Sequence, residues 1–204
     1  MRFGVMTLID NVPDALSGRL LSPHDRLREV VELAVLVEEL GFDAFGVGER
    51  HGAPFLSSSP PAVLGAIAAR THRIRLFTTV TVLSTLDPVR VAEDYATVDQ
   101  LSGGRLELAI GNNTPFRTLD EAADHGPALV GSPARIVDKI LSQHLAYGHA
   151  LQFFSVDSAG LPFARKAEVL RLAAAEVLPQ LRHELPDPLP WPSPAPAGAA
   201  EAAR

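Results

Sequence analysis

The chain has 204 residues, of which 47 % are hydrophobic and 21 % charged, enough for one good hydrophobic core. A net charge of −6, with lysine confined to Lys139 and Lys166 and the arginines scattered, argues against a nucleic-acid partner, because phosphate backbones call for clustered positive charge. The absence of cysteine excludes disulfides, thiol catalysis and thiolate metal sites.

The N-terminal MRFGVMTLIDNVPD is too short in apolar residues for a signal segment. No stretch approaches the roughly 20 apolar residues of a bilayer span. The expectation is a cytoplasmic protein with no membrane partner.

Short apolar runs alternate with longer segments of helical period. Phe3 to Leu8 is the first run. Ser22-Pro23 then opens a helix, with Leu27, Val30, Val31, Ala34 and Val37 on one stripe and Gly41 as its stop. Phe42 to Val47 is the second run, followed by a helix capped by Ser59-Pro60 and carrying Val63, Leu64, Ile67 and Ala68. Ile74 to Leu83, rich in Thr and Val, is the third. Asp87-Pro88 starts a helix with Val91, Tyr95, Val98 and Leu101 on its apolar side, and Ser102-Gly103-Gly104 ends it. Leu106 to Ile110 is the fourth run.

After Gly111 the rhythm breaks through a polar stretch to Gly126. It resumes at Ala128 to Gly131 and a Ser132-Pro133 helix that ends near Gly148. Leu151 to Val156 reads as a fifth strand, and a last helix covers Ala164 to about Leu181. Residues 183–204 are Pro- and Ala-rich and read as a disordered tail behind a folded part of residues 1–182. The alternation predicts an α/β fold of parallel βα units. Five strands are too few for a closed eight-stranded barrel, which typically takes about 250 residues, so an incomplete barrel is expected.

Three segments carry a family resemblance: MRFGVMTL, GFDAFGVGERH (41–51) and RIRLFTTVTVLSTLDPVRVAEDYATVDQLSGGRLELAIG (73–111). LVGSPARIVDKI (129–140) and the final helix add to it. Together they resemble the bacterial luciferase-like monooxygenases, with about three of the family's eight βα units missing between the fourth run and the last one. The resemblance implies a TIM-barrel-like flavin-dependent oxidoreductase using reduced FMN and O₂ on a small organic substrate. The deazaflavin F420 is the alternative cofactor. It also implies a homodimer, or pairing with a full-length paralogue, and the shortening leaves open a non-catalytic form that binds flavin weakly.

Glu49, Arg50 and His51 fall just past the second strand, where βα barrels place their active sites. The family carries Glu-His-His here, so the resemblance implies catalytic roles for Glu49 and His51, with Arg50 replacing the first histidine. Arginine stays protonated and cannot serve as a base near neutral pH. An ordinary loop histidine is the plain reading of His51. For Glu49 the plain reading is an ion pair or hydrogen bond at the barrel mouth, with Arg50 or an arginine of the third strand as candidate partners. Thr79 and Val80 lie where the family holds the flavin ring against a non-prolyl, sometimes cis, peptide, and a regular buried strand is the plain reading. Asn112 matches the place of an arginine that binds flavin phosphate, but brings no charge to it. Ser132 reads as an N-cap. No two of His72, His144 and His149 fall at metal-ligand spacing.

Overall fold

The computed structural model describes residues 1–82, 86–109, 129, 131–147, 149–157 and 160–185. Asn112, Gly148, the polar stretch after Gly111 and the tail from residue 186 lie outside the described residues.

Five parallel strands are present: β1 (Arg2–Thr7), β2 (Ala44–Val47), β3 (Arg75–Thr78), β4 (Leu106–Glu107) and β5 (Leu151–Asp157). They run in the order β4-β3-β2-β1-β5. The last strand therefore pairs with the first, as the closing strand of a βα barrel does, but β4 and β5 form the two edges and the barrel stays open among the described residues. Helices α1 (Pro23–Glu39), α2 (Pro60–Ala68), α3 (Pro88–Ser102), α4 (Pro133–Tyr147), α5 (Phe163–Leu172) and α6 (Leu178–Glu184) accompany the strands.

The main core lies between the sheet and the helices. Strand alternation turns Phe3, Val5, Phe45, Val47, Leu76 and Phe154 toward Val30, Leu33, Ala34, Leu64, Ile67, Leu170 and Leu181, and all are buried. The opposite, concave face carries small residues, Gly4, Ala44, Gly46 and Gly48, and Phe153 packs directly over Gly4.

The helix ends follow their sequence signals in most places. Ser22 accepts the Asp25 N–H, Asp87 accepts those of Val89 and Arg90, and Gly103 closes α3 at φ 70°. Ser59 differs, because its side chain makes no cap bond. Pro60 and Pro61 have no N–H to offer it. β3 and β4 are shorter than the apolar runs suggest. The Thr78 hydroxyl takes both the N–H and the carbonyl of Ala109, replacing ladder bonds with side-chain ones. The last helix is broken by a π turn at Ala173–Val177, where the Leu178 N–H reaches back to the Ala173 carbonyl. Pro179 explains the widening, because it cannot donate to the preceding turn and its ring would strike it.

The sheet's lower end is tied by two groups that sequence patterning does not reveal. Arg105 donates to the carbonyls of Ala68, Thr71, Ile74 and Ser102 and to the Thr71 hydroxyl, joining the ends of α2 and α3. Arg182 of α6 donates to the Gly41 carbonyl and to Asp43.

Candidate functional site at the sheet's C-terminal end

The ladder continues past β2. The Gly48 N–H bonds the Thr7 carbonyl, and the Glu49 N–H bonds the Val80 carbonyl. Alternation then puts Gly46 and Gly48 on the concave face and turns Glu49 to the helix side. The Glu49 side chain is fully buried, and one oxygen accepts the Val82 N–H at 2.9 Å. The other lies 2.7 Å from His51 Nε2, and the His51 side chain is 52 % exposed. Glu49 thus pairs with His51 and with backbone. The arrangement joins a buried carboxylate to a solvent-facing imidazole, a pair able to hold and pass a proton.

β3 leaves its ladder at Thr79-Val80, whose peptide bond is cis. Two glycines make this turn possible. A Cβ on Gly46 would lie 2.5 Å from Thr79 Cγ2, and one on Gly48 would lie 2.4 Å from the Thr79 carbonyl oxygen. The Thr79 hydroxyl is buried and has no hydrogen-bond partner among the described residues. A native structure rarely leaves such a group unsatisfied, and one reason for it is a ligand.

Behind the turn, the Thr81 hydroxyl meets the Tyr95 hydroxyl at 2.9 Å. Burial pushes the Tyr95 phenol above its ordinary value, against the opposing effect of the Thr81 bond, and the Glu49 charge adds to the rise. Tyr95 therefore stays protonated at neutral pH and serves as a fixed donor or acceptor. Glu49 and Tyr95 also line a cleft of about 100 Å³ bordered by Ser58, Ser59, Leu86 and Arg90. Sequence reading placed Tyr95 on an apolar helix face and missed its hydroxyl, because the partner comes from another element.

The β2–α2 loop carrying Arg50 and His51 lies along the β1–α1 loop. Leu56 N–H bonds the Ile9 carbonyl at 2.9 Å, Asn11 N–H bonds the Pro54 carbonyl at 2.7 Å, and the Ser57 hydroxyl bonds the Leu8 carbonyl at 2.7 Å. The Arg50 guanidinium stacks over Phe55, 5.4 Å from the ring centre. The structure therefore brings together Glu49, His51, Thr79 and Val80, while Asn112 lies outside the described residues. Ser132 behaves as the N-cap of α4, accepting the Arg135 N–H at 3.4 Å. His144 Nδ1 lies 2.7 Å from the His149 carbonyl oxygen, and the described residues contain no cluster able to hold a metal.

The sequence pattern of the luciferase-like monooxygenases matches residues 1–117. The chain belongs to this family. It is 33 % identical over 107 residues to N-acetyl-S-alkylcysteine monooxygenase of Bacillus subtilis, a match that covers 52 % of this chain and 32 % of that protein. It is 39 % identical over 103 residues to 4-hydroxyprotoasukamycin monooxygenase of Streptomyces nodosus subsp. asukaensis, covering 46 % and 28 %. The chain spans about a third of the length of the curated relatives it matches. Among solved structures, the monooxygenase RslO1 from Streptomyces bottropensis superposes with a TM-score of 0.74 at 18 % identity, covering 88 % of this luciferase-like chain and 99 % of RslO1. At that identity the likeness shows the fold alone, but it shows a solved chain matched over nearly its whole length.

Proposed function

We propose that this chain is a flavin-dependent oxidoreductase of the luciferase-like monooxygenase type, acting on a small organic substrate at the C-terminal end of the sheet. The observation that carries the reading is the close approach of Thr79 to Gly46 and Gly48, with the Thr79 hydroxyl buried there and without a partner among the described residues. A flat ring with polar edges fits such a place. The glycines keep side chains off the surface, and the hydroxyl offers a donor or acceptor. Reduced FMN is the first candidate and F420 the alternative, and either would supply the electrons for the chemistry when bound.

Gly46, Thr79 and Val80 would hold the ring. Glu49 accepts the Val82 N–H and so fixes the backbone just past the turn, and it orients the His51 ring. His51 would move a proton between the site and solvent. Arg50, permanently charged, would attract an anionic group instead of taking a proton.

The presence of Arg50 beside His51 favours a second reading, a non-catalytic relative that binds flavin weakly or serves as the partner of a longer paralogue. A homodimer would equally cover the open edges of β4 and β5. Titrating the purified chain into FMN while following fluorescence quenching, then repeating with F420 on a sizing column, separates these readings. Saturable micromolar binding supports the flavoprotein. A folded dimer that binds neither cofactor contradicts it and favours the structural partner.

A further inference from the structure

A buried charge cluster stands apart from the Glu49 site. Asp157, at the end of β5, is 1 % exposed. It receives both Oδ contacts from Arg26 Nη2 at 2.7 Å, one from Lys166 Nζ at 2.7 Å, and the hydroxyl of Thr7. Glu29 also pairs with Lys166 and Arg26, the Asp10 carboxylate lies 3.8 Å from Arg26 Nη2, and the Arg26 Nε–H donates to the Asp10 carbonyl. Arg26 and Lys166 are buried as well. The cluster joins β1, α1, β5 and α5 at one point.

Its reach extends beyond that joint. Because the Thr7 hydroxyl gives its proton to Asp157, its oxygen is turned to accept, and it takes the Ile9 N–H at 2.9 Å. Ile9 is fully buried and has a φ of 51°, the left-handed region that a β-branched residue rarely enters. Such a conformation persists only where its surroundings over-determine it. The Thr7 bond on one side and the Leu56 N–H on the Ile9 carbonyl on the other do so. From Ile9 the bonds pass directly into the loop that bears His51, through Leu56, through the Asp10–Phe55 bridge and through Ser57 on the Leu8 carbonyl.

We infer that Thr7, Ile9 and Asp157 are positioning residues for the β2–α2 loop. By way of Asp157, β5 sets where His51 stands against Glu49. The inference rests on the mouth of the sheet being the reactive site, but the contact it concerns exists without any ligand. β5 is the neighbour of β1, and its carboxylate supplies the hold.

The test is the His51 ring signal in a ¹H–¹³C spectrum of the ligand-free chain, assigned by its loss in His51→Gln. Thr7→Val keeps the side-chain shape and removes the hydroxyl. It is expected to displace the His51 signal, and Thr7→Ser is expected to return it to the parental position. Ser57→Ala breaks the same brace from the loop side and covers the case in which Thr7→Val fails to fold. An unmoved His51 signal in either folded variant overturns the inference, as does a displacement that Thr7→Ser leaves uncorrected. The readout needs no flavin, so failure of the flavin reading would leave it intact and separately visible.

Discussion

Phe77 on β3 and Phe153 on β5 meet edge to face with ring centroids 5.2 Å apart, although β2 and β1 lie between their strands. A flat sheet would hold them about 14 Å apart at the usual inter-strand spacing. The sheet is therefore strongly curled, and the two rings fill the hollow of the partial barrel.

That filling depends on glycine. A Cβ on Gly4 would lie 2.5 Å from Phe153 Cε1 and 2.9 Å from Ala44 Cβ. Gly4→Ala should cost about 1–3 kcal/mol through overpacking. Phe153→Ala should cost about 2–3 kcal/mol, less than for a fully enclosed ring, because Phe153 is half-buried. In the double variant the Gly4→Ala penalty should largely disappear, as denaturant unfolding of the four proteins will measure.

Asp157 predicts an acid response. Burial alone would raise its carboxyl, but Arg26 and Lys166 outweigh burial and hold it below the usual aspartate value. A carboxyl depressed in the folded state takes up its proton more readily when unfolded. Its stabilisation is therefore complete above the unfolded value of about 3.9 and lost as pH falls toward the folded value. Asp157→Asn should cost about 3–5 kcal/mol at neutral pH by leaving two buried cations short of a counter-charge. The gap from the parent should narrow as the pH drops below about 4. Urea unfolding at a series of pH values checks both.

Arg105, half-buried beneath the sheet, should matter to stability. Arg105→Ala strips partners from four carbonyls and should cost about 2–3 kcal/mol. For a chain of this size that lowers the melting temperature by roughly 4–12 °C. Arg105→Lys should recover little, since an ammonium cannot span the same carbonyls.

These cases mark what could be read from the sequence. Periodic stripes, Ser22, Asp87 and the glycine stops located the helices, because those signals are local. The neighbours of Glu49 were legible as a region, since residues past a parallel strand face the barrel mouth. Its backbone partner was not, because the Val82 N–H lies past the end of β3, 33 positions away. The bond from Arg26 to Asp157 spans 131 positions and leaves no periodic trace. The curl that joins Phe77 to Phe153 is likewise a property of the assembled sheet.

The glycines beneath Thr79 give a functional prediction. Gly48→Ala would force a Cβ against the Thr79 carbonyl, which cannot move as a side chain can, and should weaken FMN binding at least tenfold. Gly46→Ala meets only the Thr79 side chain and should have the milder effect. Parallel FMN titrations, with far-ultraviolet spectra to confirm folding, will rank the two.

Flavin binding against the Thr79-Val80 turn would leave a local signature in the spectra of the chain. Recording ¹H–¹⁵N and methyl spectra of the chain during addition of FMN tests it most directly. Saturable shifts are expected at Gly46, Gly48, Thr79, Val80 and His51, with the Asp157 cluster undisturbed. Shifts centred elsewhere, or none at saturating FMN in a folded chain, would contradict binding at that turn.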